Sequence, residues 1–160
     1  ASALQLEDAA ASAVETALKS HWSEDLALLY GRLPFGRLTS NTPTSRLATA
    51  ESWQRAHSDS PALGITLGRL SLQQHQLSKA EGYLHRAIAQ GGGGIAWEEL
   101  GNTHAAQGDD ARARQCYANA LHVARGEPAE ELPGRGIKDR IFDESVIEER
   151  SELGVPRLPS

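Results

Sequence analysis

From Gly64 to Leu121 the order of large, small and polar positions is stated twice. Gly64–x2–Leu67–Gly68 followed by Ala80–x3–Leu84–x2–Ala87–Ile88 returns as Trp97–x2–Leu100–Gly101 followed by Ala113–x3–Tyr117–x2–Ala120–Leu121, with 68 moved to 101 and 80 to 113. Within each copy the apolar residues fall three and four apart, which predicts a pair of amphipathic helices. The small residues are as regular as the large ones. Two antiparallel helices approach closely only where one presents Gly or Ala and the other inserts a bulky side chain. Gly68 and Gly101 therefore read as contact points, since a mid-helix glycine otherwise costs about 1 kcal/mol relative to alanine.

The rest of the chain extends the pattern. Leu4, Ala10, Val14, Ala17 and Leu18 give 4–19 a helical period, and Ala10–x6–Ala17–Leu18 matches the later second helices. The chain thus reads as opening on the second helix of a repeat whose first helix lies upstream. Ser23 or Asp25 can start the next helix, running through Leu26, Leu29, Tyr30 and Leu33 and setting Tyr30–Gly31 where Leu67–Gly68 stands later. Its partner spans 45–57, with Ala50–Glu51–x–Trp53 echoing Ala80–Glu81–x–Tyr83. Pro34, Gly36, Thr39, Ser40, Asn41, Thr42 and Pro43 between them are loop chemistry. Ser60–Pro61 is a helix start, Ser as cap and Pro at the first helical position. Gly91 to Gly94 read as a turn; no Gly–Lys–Ser/Thr follows, so they are no phosphate loop. Gly108–Asp109–Asp110 ends one helix and caps another. After Arg125, Gly126, Pro128, Pro133, Gly134 and Gly136 form a linker, and 139–153 carries one more helix, stopped by Gly154 and Pro156 and expected to dock as a cap.

A large residue with Leu–Gly on a first helix and Ala–large–Ala on a second is the tetratricopeptide spacing. The predicted fold is all-α, a tetratricopeptide-repeat α-solenoid of about three helix pairs plus a C-terminal capping helix. Its parts are a repeat domain over 1–125, a linker over 126–138, and a C-terminal helix and tail over 139–160.

Composition narrows the function. Only 5% of residues are aromatic and none is Met, so Ala and Leu fill the core, as suits a helical stack. A net charge of −5 without a basic stripe argues against nucleic acid as a partner. The single cysteine, Cys116, rules out an internal disulfide and a cysteine-based zinc cluster. No run of about 18 apolar residues is present to span a membrane. The absence of a signal-peptide pattern and the opening inside helical text suggest the soluble part of a longer protein.

A more particular wording accompanies the generic repeat. Leu28–Leu29–Tyr30–Gly31–Arg32–Leu33, then Ala50–Glu51–x–Trp53–x3–His57–x–Asp59–x–Pro61, then Leu67–Gly68–Arg69–Leu70 and Lys79–Ala80–x2–Tyr83–Leu84 resemble the C-terminal soluble half of the HemY-type proteins of Gram-negative bacteria, over about residues 5–125. The 39–43 loop has no counterpart in that wording, and the tail after Arg125 carries no resemblance. The resemblance implies an inner-membrane protein with N-terminal membrane helices, its repeats on the cytoplasmic side, linked to a late stage of haem synthesis and to haem-pathway enzymes as partners.

In a tetratricopeptide stack the first helices line a concave face that takes extended peptides or partner helices. The residue after each repeat glycine should point there: Arg32, Arg69 and Asn102, a ladder of donors suited to the carboxylates of an anionic protein or peptide partner. Leu28, Ile65, Leu72 and Gln73 would flank it and Glu98 oppose it. The competing reading is that both arginines pair with local acids or solvate the face. His21, His57, His75, His85, His104 and His122 include no His–x3–His, no His–Glu–x2–His and no Cys–x2–Cys–His, so neither a metal nor a cofactor is predicted. His104 takes a packing slot, and Cys116 reads as a small buried hydrophobe. Tyr30, Trp53, Tyr83, Trp97 and Tyr117 read as core. Glu98–Glu99 and Glu148–Glu149 are sequence neighbours whose side chains diverge, so no catalytic dyad is seen. These readings favour a non-enzymatic interaction scaffold without catalytic residues. The alternative is a tetrapyrrole-handling module with arginines on the propionates and a histidine on the iron.

Overall fold

The structure, a computed structural model, describes residues 3–35 and 41–134, with side chains from residue 8 onward. The chain divides into two units, Ala1–Glu130 and Glu131–Ser160. All the described helices lie in the first unit: α1 (Ala3–Ser20), α2 (Glu24–Tyr30), α3 (Pro43–Trp53), α4 (Pro61–Gln73), α5 (Leu77–Ala89), α6 (Gly93–Ala106) and α7 (Asp110–Ala124). The described residues contain no strand. The protein is all-α there, and the helix expected over 139–153 lies outside the described residues.

Short polar side chains set most of the helix starts. Ser23, Ser60 and Asp109 each accept the backbone N–H three residues on, from Leu26, Leu63 and Arg112 at 3.3, 3.1 and 3.1 Å. The start of α3 corrects the sequence reading. Thr42 and Pro43 are cap and first turn rather than loop, because Thr42 and Ser45 bond reciprocally and Pro43 has no N–H to leave unsatisfied. The glycine run also divides differently. Gly91 (φ +88°) and Gly93 (φ +69°) need glycine's left-handed freedom. Gly94 already lies inside α6, where a Cβ would stand 2.9 Å from the Ala120 carbonyl oxygen. At the other end, α2 stops at Tyr30, and Leu33 packs on the core from beyond the helix.

The repeat glycines are interhelical contacts. A Cβ on Gly68 would stand 2.5 Å from Leu84 Cγ, and one on Gly101 would stand 2.6 Å from Tyr117 Cε1. Gly64 meets Ala87 one turn earlier on α4 and one turn later on α5, so the pair is antiparallel. Fully burying Leu84 is worth about 1.5–3 kcal/mol, which outweighs the glycine's helix cost of about 1 kcal/mol. Gly31 behaves otherwise: its nearest neighbour is Thr66 on α4, with Oγ1 2.9 Å from a would-be Cβ. Thr66 Oγ1 donates to the Ala27 carbonyl at 2.6 Å and Arg69 Nε to the Gly31 carbonyl at 3.0 Å, so α2 and α4 run side by side in one direction. The backbone of α3 packs against α4. It meets α2 through side chains, with the Tyr30 and Trp53 rings 4.9 Å apart.

One core gathers Val14, Leu18, Tyr30, Leu47, Leu63, Leu67 and Leu70, and a second gathers Ile65, Ala87 and Ala96. A residue the sequence reading passed over holds the connection between α2 and α3. Arg46 is 1% exposed. Its Nη1 donates to the Leu33 carbonyl, its Nη2 to the Pro34 carbonyl and to Asn41 Oδ1, both at 2.7 Å, and its guanidinium lies 4.2 Å from the centre of the Phe35 ring. Burial lowers its pKa, yet an arginine remains charged. At the far end of the unit, Asn119 and Glu130 exchange two hydrogen bonds, Nδ2 to the carbonyl at 2.7 Å and N–H to Oδ1 at 2.8 Å. Those bonds carry the first unit past Arg125, into the stretch read from sequence as linker.

Candidate functional site

Two of the residues after the repeat glycines, Arg69 and Asn102, meet in one polar network. Arg69, on α4, uses Nε on the Gly31 carbonyl and Nη1 on Glu99 Oε1 at 2.6 Å. Asn102 Nδ2 donates to the other carboxylate oxygen of Glu99 at 3.4 Å, and Tyr117 Oη donates to Asn102 Oδ1 at 2.7 Å. The chain of bonds thus runs from α2 through α4 and α6 to α7. The Glu99 side chain is 6% exposed and that of Arg69 33%. Their pairing neutralises a nearly buried carboxylate, which would be costly alone.

Arg69 therefore has a local acid, as the competing reading held. Arg32 is exposed and makes no ion pair among the described residues. Its backbone N–H closes the end of α2 on the Leu29 carbonyl at 2.8 Å. Gln73 and Glu98 are exposed and Leu72 is half-buried. Ile65 is a correction. It is 4% exposed and packed with Ala87 and Ala96, while Leu28 lies half-buried against the same cluster. The close approach of Gly64 to Ala87 carries the neighbouring Ile65 into the interior, so it offers no surface to a partner.

The acid opposite the arginine is Glu99, where the sequence reading chose Glu98. A signal was present in the repeat. Glu99 stands two residues before Gly101, as Thr66 stands two before Gly68, and each reaches back to the preceding first helix. That register position looks backward whichever polar residue fills it.

Other candidates are placed as follows. The His57 ring stacks on Trp22 with centroids 3.7 Å apart. His75 takes φ +57° in the turn after α4. His21 and His85 are exposed and His122 half-buried, while His104 is enclosed, in keeping with a packing slot. Cys116 is fully buried, and burial pushes its thiol up to about 11, away from nucleophilic character at neutral pH. Tyr30 is enclosed and its hydroxyl donates to Glu15 Oε1 at 2.6 Å; Trp53 and Tyr83 pack against the same core from half-buried positions. Tyr117 departs from the expected core role, lying over Gly101 with 37% of its surface exposed. No described helix is long and apolar enough to cross a membrane. Compared with protein-family models, with curated proteins and with solved structures, the chain matches none.

Proposed function

We propose that this chain is a non-enzymatic interaction scaffold, a tetratricopeptide-type α-solenoid whose first-helix face receives an anionic segment of a protein partner. The observation that carries the reading is the repeated contact of Gly68 with Leu84 and Gly101 with Tyr117, one helix pair after another in the same register. Such units stack into quasi-one-dimensional arrays whose extended face is the surface they offer. The resemblance to HemY-type proteins is what supports a partner among enzymes of late haem synthesis and a scaffold on the cytoplasmic side of the inner membrane.

The Arg69–Glu99 pair refines how such a face would work. A partner carboxylate must displace Glu99 to reach Arg69, whereas it meets exposed Arg32 without that competition. Arg32 is the leading contact and Arg69 a positioned second. The test is affinity capture from bacterial membranes with the chain as bait, alongside its Arg32→Ala and Arg114→Ala variants. A haem-synthesis enzyme retained by the wild type and Arg114→Ala but lost with Arg32→Ala supports the reading. Equal retention by all three would place the partner surface elsewhere, and no specific partner at all would remove the scaffold.

A further inference from the structure

Away from the first-helix face, three side chains of two helices turn toward one point. Glu81 and His85 lie one turn apart on α5, and His104 comes from α6. One ligand atom from each lies within 4.8 Å of the other two. Glu81 Oε1 is 3.7 Å from His85 Nε2 and 3.9 Å from His104 Nε2. The enclosed member is the informative one: His104 is 1% exposed, and its buried Nε2 has no hydrogen-bond partner among the described residues.

The surrounding bonds settle which atom of that ring carries a proton. Gln107 Nε2 donates to Glu81 Oε2 at 3.3 Å. A carboxylate only accepts, so the amide nitrogen must face Glu81 and the amide oxygen must face His104. That oxygen lies 2.8 Å from His104 Nδ1, which is therefore the protonated nitrogen. In the neutral ring Nε2 then holds a lone pair, facing a carboxylate oxygen with no proton between them. A buried acceptor facing a half-buried one in that relation lacks a cation.

We propose that Glu81, His85 and His104 bind a first-row divalent cation of the zinc class. Two imidazole nitrogens and one carboxylate suit such an ion, while calcium and magnesium prefer all-oxygen shells. Zinc holds nitrogen at about 2.0–2.1 Å, which sets tetrahedral ligands roughly 3.4 Å apart. Closing from 3.7 and 3.9 Å needs only small rotations, and exposed His85 has room to make them. Gln107 serves as the outer partner that fixes the His104 ring, as a carboxylate or carbonyl does in many metal sites. A fourth position stays open to water or to a donor from a partner. Arg112 competes for the same carboxylate. Its Nη1 is 4.0 Å from Glu81 Oε1, and its Nε is 3.7 Å from Asp109 Oδ2. The arriving cation moves it toward Asp109.

The test is calorimetric titration of chelator-treated protein with Zn2+, paired with the visible absorption of bound Co2+. The wild type should take up one equivalent. His85→Ala and Glu81→Gln should each weaken binding by at least the roughly 10–100-fold that loss of an outer-shell partner costs. His85 is exposed and alanine favours the helix, so that variant keeps its fold, which circular dichroism verifies. His21→Ala should bind as wild type, and Arg112→Ala should bind more tightly. Failure of the wild type to bind one equivalent overturns the site, and so does wild-type affinity in His85→Ala. Equal losses in His21→Ala and His85→Ala would mean scattered surface histidines and would overturn it too.

Discussion

Leu84 occupies the space that a side chain at Gly68 would need, its Cγ 2.5 Å from where the Cβ would stand. Leu84 is fully buried and cannot withdraw. Gly68→Ala should therefore destabilise by about 1–3 kcal/mol through overpacking, despite alanine's better helix propensity. Gly101→Ala meets Tyr117 at 2.6 Å, but that ring is 37% exposed and can turn outward, so the loss should be smaller. At Gly82 a Cβ meets nothing within 4 Å, and Gly82→Ala should stabilise by about 0.4–1 kcal/mol. Urea midpoints in the order Gly82→Ala, wild type, Gly101→Ala, Gly68→Ala are expected. Equal midpoints would show that the glycines are not contact points.

The contrast between Gly68 and Gly31 shows what the sequence can carry. Gly68, Gly101, Ser60–Pro61 and Asp109 were legible because each is a local rule: a small residue opposite a large one, or a cap before a helix. Gly31 looked equivalent, yet it faces Thr66 of the neighbouring first helix. Nothing in its own segment states which helix will arrive there. Glu99 and the Glu81–His85–His104 group were missed for a related reason. Their meaning lies in pairings between helices, and a search for histidines spaced along one helix passes over a set drawn from two. Thr42–Pro43 reads as loop in the sequence because it follows Thr39–Ser40–Asn41, although Thr42 makes a capping box with Ser45 once the two are in reach.

Breaking the Arg69–Glu99 pair should cost unequally from its two ends. Arg69→Ala leaves Glu99 nearly buried with only Asn102 bonded to its carboxylate among the described residues, an expected loss of about 3 kcal/mol. Glu99→Gln leaves an arginine that is one-third exposed and can reach water, an expected loss nearer 1.5 kcal/mol. The double variant should recover part of the difference. A denaturation cycle over the three variants measures it, and strict additivity would mean the two groups do not interact.

Glu24 ties the start of α2 to the start of α4 and should give stability an acid limb. Burial alone would raise its pKa. Hydrogen bonds from Ser60 Oγ, Trp22 Nε1 and the Ala62 N–H, with nearby His57, outweigh burial and hold it below the usual carboxylate range. A depressed folded pKa contributes stability that is fully present above the unfolded value and is lost as pH falls through the folded value. Between those two pH values the wild type should lose stability faster than Glu24→Gln, and at neutral pH Glu24→Gln should be the weaker. Melting temperatures across pH 2–7 (about the carboxylate range) check both statements. Parallel curves for the two proteins would remove Glu24 from the linkage.

Arg46 offers the sharpest separation between a local and a global contribution. Its guanidinium satisfies the carbonyls of Leu33 and Pro34 and the side chain of Asn41, all in the connection between α2 and α3. Arg46→Met keeps the aliphatic stem and loses every one of those donors, so the partly buried carbonyls of Leu33 and Pro34 lose their guanidinium partner. A loss of about 3 kcal/mol is expected, since bonds to a charged group are worth about 1.5–3 kcal/mol each and are not additive. Arg46→Lys should recover little, because an ammonium cannot address carbonyls on two sides as the planar fork does. The loss should also be confined in space. The described contacts of Arg46 involve α2, its connection to α3 and, electrostatically, Asp8 and Glu15 of α1, whereas α6 and α7 pack chiefly on each other and on α5. Native-state hydrogen exchange should therefore quicken in α2 and α3 and stay near wild type in α6 and α7. Uniform quickening across all helices would make Arg46 part of one cooperative core, and unchanged exchange in α3 would mean that the buried guanidinium holds nothing in place.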